Sequence, residues 1–92
     1  MYVSKDFIVR EIAGDYIVVP TGEEALKFNG LITLNEVGAF LWKKLEKDIE
    51  LEALAEAVCE EYEVEEEIAL SDVKEFLQIL RDHQMLLEQK VK

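Results

Sequence analysis

The chain has 92 residues, 50% of them hydrophobic, enough for one small domain with a thin core and without a deep enclosed pocket. It carries 21 Asp and Glu against 10 Lys and Arg, a formal net charge of -11, which disfavours binding to nucleic acids and to anionic membranes and would attract a basic peptide. With one cysteine no internal disulfide forms, and the N-terminus lacks the apolar run of a signal peptide, so the sequence predicts a cytoplasmic protein.

The first third of the chain is predicted to form three strands. β-Branched and aromatic residues fill 7–12 and 16–19, and Gly14 between them can adopt the positive φ of a tight hairpin. Pro20 then breaks the sheet, because it has no amide hydrogen for the ladder. Residues 23–28 fit either a helical turn or an extended link, and 31–34 form a short third strand.

A first helix is predicted from Asn35, whose side chain is suited to cap the N-terminal turn, to about residue 47. Apolar residues recur at every fourth position and predict one buried stripe. That stripe consists of Val37, Leu41 and Leu45 and is widened by Phe40 and Trp42. Gly38 marks a place where another backbone can approach closely.

Two more helices follow in the predicted order. The second covers 50–62 and buries Leu51, Leu54, Ala55, Val58 and Tyr62. The third begins near Glu66 or, with Ser71 as its cap, near Asp72, and it extends to about residue 83. Residues 85–87 form a last short strand or a turn.

This order predicts a single α+β domain spanning residues 1–92. A three-stranded antiparallel sheet followed by three helices is close to the plan of a winged helix-turn-helix.

No set of catalytic side chains holds together. Ser71 and Asp72 lie at the start of the third helix and His83 about 16–18 Å farther along it, too far for a hydrogen-bonded triad. Cys59 is expected to be a buried structural residue. Structural zinc needs about four Cys or His ligands, and the acidic run at 60–67 lacks the spacing of an EF-hand. The sequence therefore predicts a protein that is not an enzyme, with no metal and no cofactor.

The third helix suggests a surface feature instead. Its core face consists of Val73, Leu77 and Leu80, while Phe76 and Ile79 lie where the apolar stripe turns toward solvent. These two residues either complete the core or line a groove. If the third strand is a sheet edge, the groove beside it is suited to a peptide that adds a strand.

The chain resembles the coenzyme PQQ synthesis protein D (PqqD) family over nearly its whole length. The most specific element is the Leu-Asn-Glu-x-Gly-Ala-x-x-Trp segment at 34–42, and Glu61-Tyr62, Asp72-Val73, Phe76-Leu77, Leu80 and Met85-Leu86-Leu87 follow in the expected order. Two positions depart from the pattern: Val37 stands where Thr is frequent, and Gln84-Met85 replaces a common Gly.

The resemblance implies a RiPP recognition element, a non-catalytic chaperone in natural product biosynthesis. Such a domain binds the leader segment of a ribosomally made precursor peptide and presents it to a modifying enzyme, often a radical SAM protein. The resemblance assigns the binding site to backbone groups of the third strand and side chains of the third helix. These residues are Leu31, Ile32, Thr33, Leu34, Asp72, Phe76, Ile79 and His83.

Two alternatives stay open at this point. A winged-helix DNA-binding regulator shares the fold plan, although the third helix lacks the basic residues that phosphate contacts need. An exposed third strand can also pair with a second copy of the chain and form a homodimer.

Overall fold

The computed structural model describes residues 1–21 and 32–88 of the chain. The described residues form five strands and three helices in the order β1, β2, β3, β4, α1, α2, α3, β5. Their bounds are β1 Tyr2–Val3, β2 Phe7–Ile12, β3 Asp15–Pro20, β4 Ile32–Leu34, α1 Glu36–Lys44, α2 Leu51–Tyr62, α3 Glu66–Asp82 and β5 Leu86–Leu87. The predicted α+β class, with a three-stranded antiparallel sheet and three helices after it, is confirmed. The uncertain segment at 23–28 lies outside the described residues.

The sheet has the order β2-β3-β4, with both pairs antiparallel. A two-residue turn joins β2 to β3, and both of its residues take the left-handed conformation, Ala13 at φ 53° and Gly14 at φ 87°. Two consecutive positive φ values match the twist of the flanking strands, as in the favoured tight hairpins. The predicted role of Gly14 is confirmed, and Ala13 shares it.

Residues of the sheet and of all three helices form one hydrophobic core. The side chains with the lowest exposure include Trp42, Leu41, Leu45, Leu54, Leu80, Met85, Val18 and Val73. The predicted core face of the third helix is therefore confirmed, because Val73, Leu77 and Leu80 are all buried. Cys59 is only half-buried, since it lies at the margin of the face that α2 turns to the core.

The helix boundaries differ from the predicted ones in two places. α1 ends at Lys44 and not at residue 47, because the carbonyl of Leu45 accepts a hydrogen bond from the backbone N–H of Val3 (2.9 Å). α3 takes the earlier of its two predicted starts, so Ser71 lies inside the helix and the interpretation of Ser71 as a cap is wrong. The early start follows from Ala69, which is fully buried and extends the core contact into the first turns.

The predicted last strand exists and pairs with a strand that the sequence did not indicate. β1 and β5 form a separate antiparallel pair, with Tyr2 opposite Leu87 and Val3 opposite Leu86. Gln84, just before β5, adopts φ 58°, a conformation that glycine takes without strain. None of the described helices is long and apolar enough to cross a membrane.

Candidate peptide-binding site

The site begins with β4, which is an outer strand of its sheet. Within the described residues β4 pairs on one side only, with β3, placing Leu34 opposite Tyr16 and Thr33 opposite Ile17. Leu34 is buried, Ile32 is half-buried and Thr33 is exposed, the alternation expected of a strand with one face on the core. The other side of β4 has no partner strand among the described residues, as expected of a sheet edge.

The chain passes directly from β4 into α1 through Asn35. The Asn35 side-chain oxygen accepts a hydrogen bond of 2.7 Å from the backbone N–H of Gly38, so the predicted N-cap is confirmed. This bond satisfies one of the free amides of the first helical turn and fixes the angle between β4 and α1. The cap thus holds the strand and the first helix of the site together.

Gly38 permits the close packing of α1 against α3. A Cβ atom at this position would lie 3.2 Å from Asn35 Oδ1, 3.3 Å from Leu34 Cβ and 3.3 Å from Phe76 Cε1. The sequence prediction was right about a close approach but wrong about its nature, because the nearest atoms belong to side chains and not to a backbone. The missing side chain lets Phe76 pack over α1.

A groove of about 250 Å³ opens between α1 and α3 next to this contact. We call it the α1–α3 groove. One wall comes from α1 and its cap and the other from α3. The lining residues are Asn35, Val37, Gly38 and Leu41 on the first side and Asp72, Glu75, Phe76 and Ile79 on the second.

The structure brings three of the predicted site residues together in this groove, namely Asp72, Phe76 and Ile79. They differ in exposure: Phe76 is 9% exposed and also belongs to the core, whereas Ile79 is 41% exposed. Both interpretations of Phe76 therefore apply, since its ring closes the core and lines the groove. For Ile79 the exposed position favours the groove.

The other predicted residues lie around the groove. Ile32, Thr33 and Leu34 form β4, and the Cβ atom of Leu34 lies next to Gly38. His83 is the C-cap residue of α3, one turn beyond Ile79, with its Nδ1 atom 2.9 Å from the Ile79 carbonyl oxygen. It does not line the groove. Leu31 lies outside the described residues.

Sequence reasoning missed five lining residues. Asn35 was expected only as a cap, Gly38 only as a place of close approach, and Val37 and Leu41 as part of the buried stripe of α1. Glu75 was not assigned to the site. For Glu75 a signal was available, because 72, 75, 76 and 79 follow the i, i+3, i+4, i+7 spacing of one helix face. Asp72 and Glu75 give the groove two carboxylates, and no Lys or Arg in the described part of the chain lines it.

Comparisons with known proteins agree with this architecture. A solved structure described as "TbiB1 in Complex with the TbiA(beta) Leader Peptide" matches at a TM-score of 0.76 and 23% identity, covering 99% of this chain and 100% of that one. One described as "Lasso peptide synthetase B1 complexed with the leader peptide" matches at a TM-score of 0.72 and 20% identity, covering 94% of this chain and 95% of that one.

At these identities the two structures show a shared fold. No curated protein matches the chain. The family model described as "Coenzyme PQQ synthesis protein D (PqqD)" matches residues 7–86, which is most of the chain. The chain therefore belongs to the PqqD family.

Proposed function

We propose that this protein is a non-catalytic chaperone that binds the leader segment of a ribosomally made precursor peptide and presents it to a modifying enzyme. The observation that carries the proposal is the position of β4, an outer strand among the described residues, directly beside an apolar groove with an acidic margin. The two solved structures with the same fold were each determined with a leader peptide, which supports the same class of ligand here.

The leader binds as an added strand along β4. Main-chain hydrogen bonds to an edge strand supply affinity that does not depend on sequence, and pockets for alternate side chains supply specificity. The backbone contacts fall on Leu31, Ile32, Thr33 and Leu34. Because Leu34 continues into the cap of α1, a peptide on β4 reaches the α1–α3 groove within a few residues.

The chemistry of the groove defines the side chains that it accepts. Val37, Leu41, Phe76 and Ile79 provide an apolar surface for one or two aliphatic or aromatic anchors. Asp72 and Glu75 favour a basic residue next to those anchors. His83 lies one turn beyond Ile79 and contacts a longer leader at the end of α3.

The bound leader is handed to a separate enzyme, for which the family resemblance suggests a radical SAM protein. The part played by this chain is to fix the leader, which raises the local concentration of the precursor at the enzyme. The same surface is less suited to DNA, because α3 carries two basic residues against five acidic ones, the opposite balance to that of a recognition helix. The basic residues are Lys74 and Arg81, and the acidic ones are Glu66, Glu67, Asp72, Glu75 and Asp82.

Calorimetric titration of a synthetic leader, taken from the precursor encoded beside this gene, tests the proposal. Ile79→Asp is expected to weaken binding at least about tenfold, because an apolar anchor would then meet a charge. Ile12→Asp is the matched control, since Ile12 is 51% exposed, lies on β2 at the far side of the sheet and does not line the groove.

Both variants are expected to keep the wild-type thermal midpoint within a few degrees, because both side chains are largely exposed. NMR spectra of the leader complex should show the largest amide shifts in 32–34 and in α3. Equal affinities for the Ile79 and Ile12 variants, or shifts confined to other segments, would contradict the site.

A further inference from the structure

A second cavity, of about 380 Å³, lies between the β2–β3 hairpin, α1 and the end of α2. We call it the aromatic pocket, because Tyr16, Phe40, Trp42 and Tyr62 are among its lining residues. It shares no lining residue with the α1–α3 groove. Its size and its separate walls make it a distinct candidate for ligand binding.

α1 separates the aromatic pocket from the groove. At about 100° per residue, the α1 residues of the pocket, such as Ala39 and Lys43, point to the opposite side of the helix from Val37 and Leu41 of the groove. A ligand in one site therefore does not obstruct the other. Both sites can be occupied at the same time.

The rings of the pocket are arranged to receive a cation. Phe40 and Tyr62 meet edge to face, with centroids 5.5 Å apart and planes at 86°, so they form a corner that presents ring faces in two directions. Both rings are only half-buried. The Nζ atom of Lys44 already lies 5.4 Å from the centroid of the Phe40 ring, so this ring attracts a positive charge within the chain itself.

The charges around the rings are predominantly negative. Of the charged residues that the structure describes, Glu11, Glu36 and Glu46 line the pocket together with one cation, Lys43. The ion pairs of the described residues are Met1 with Asp48 and Arg81 with Glu88, so in that part of the chain none of the three carboxylates has a paired cation.

The negative potential of these groups extends to the rings. Burial raises the pKa of Tyr62, and the nearby Glu36, Glu61 and Tyr16 raise it further. A positive group in the pocket would thus be attracted both by the carboxylates and by the ring faces.

We propose that the aromatic pocket binds an arginine side chain of a second protein while the groove holds the leader. A guanidinium group fits these walls better than an ammonium group does, because it is planar, stacks on rings, is weakly hydrated and pairs with carboxylates through a fork of donors. That the second protein is the modifying enzyme rests on the proposed function; the preference of the pocket for arginine does not. The pocket is then the surface on which the chaperone engages its partner.

NMR titration of the isotope-labelled full chain tests the pocket with a defined probe, N-acetyl-arginine amide. We expect saturable amide shifts at Ala39, Phe40 and Tyr62, with affinity in the millimolar range. N-acetyl-citrulline amide, an uncharged molecule of nearly the same shape, should cause shifts at least about fivefold smaller, and N-acetyl-lysine amide should bind more weakly than the arginine probe. Equal responses to arginine and citrulline, or to arginine and lysine, would overturn the assignment.

Two double variants test whether the arginine probe binds in the aromatic pocket. The pair Glu11→Gln and Glu46→Gln is expected to weaken the arginine probe about threefold to fivefold. The matched pair Glu52→Gln and Glu56→Gln removes the same charge from exposed positions of α2 that do not line the pocket, and it should leave the affinity unchanged. If both double variants lost the same affinity for the arginine probe, the probe would be attracted by the net charge of the protein and not by the pocket, and the assignment would be wrong. The Ile79→Asp chain should respond to arginine as the wild type does, so failure of the leader site and failure of the pocket are distinguishable.

Discussion

Gly38 links the stability of the molecule to the width of its groove. A methyl group added at this position would lie 3.2–3.3 Å from its nearest neighbours, closer than an ordinary van der Waals contact. An alanine here gains about 1 kcal/mol of helix propensity, but it crowds Asn35, Leu34 and Phe76. The substitution would therefore stabilise α1 and at the same time distort the walls of the groove.

Gly38→Ala is therefore expected to change the free energy of unfolding by less than about 1 kcal/mol while it weakens leader binding severalfold. Gly14→Ala is the matched control: Gly14 adopts φ 87° with no atom near the added methyl, so alanine there costs about 1–2 kcal/mol. Its leader affinity should stay at the wild-type value. Denaturant unfolding and calorimetric titration measure the two effects, and an unchanged affinity for Gly38→Ala would show that the methyl group does not narrow the site.

At the scale of elements, hydrogen bonds from β1 and the residue after it connect the end of α1 to the start of the β5 segment. The backbone N–H of Val3 donates to the Leu45 carbonyl (2.9 Å), and that of Ser4 donates to the Met85 carbonyl (2.8 Å). The Val3 side chain is 6% exposed and belongs to the core. Val3 and Ser4 thus connect the C-terminal end of α1 to the residue just before β5.

Val3→Ala is expected to lower the free energy of unfolding by about 1–2 kcal/mol, because it removes two buried methyl groups next to fixed neighbours. Leu87→Ala, on the paired strand but at a side chain that is 43% exposed, should cost less than about 0.5 kcal/mol. Chemical denaturation of both variants gives the comparison. Equal losses would mean that the side chain of Val3 does not contribute as a core residue.

The same elements show what sequence periodicity can predict. The β2–β3 hairpin, the three helices and the core face of α3 follow from alternation, from the 3.6-residue period and from Gly14 and Asn35, which act locally. β1 could not be predicted, since two residues have no measurable period and Tyr2 and Val3 become a strand only by pairing with distant Leu86 and Leu87. The groove was indicated by Phe76 and Ile79 on α3, but its α1 wall depends on how two helices approach, which no single segment specifies.

At the scale of the whole molecule, the net negative charge lowers the free energy of unfolding. The net charge of -11 is spread over a small surface, and α2 has no basic residue in its last turn to offset its acidic ones. Carboxylates near the C-terminal end of a helix also oppose the negative end of the helix dipole. Mutual repulsion therefore favours the unfolded chain at low ionic strength.

Raising NaCl from a few millimolar to about 0.3 M is expected to raise the thermal midpoint by a few degrees, since the Debye length falls below about 10 Å. The double variant Glu60→Gln and Glu61→Gln should be more stable than the wild type at low salt and respond less to added salt. Thermal scans across the salt series test both points. A midpoint that falls with salt, or an identical slope in the variant, would contradict this account.

The antiparallel pairing of Tyr2 with Leu87 places the first and last strands of the described fold side by side. A domain with that property can be set into a surface loop of another protein without separating the loop's ends by more than the width of two strands. Such a domain can also be circularly permuted: a short linker joins the two adjacent ends, and new termini are opened elsewhere. For this chain the consequence is practical: a binding module could be transplanted into an enzyme as one insert, with β4, the groove and the aromatic pocket carried along intact.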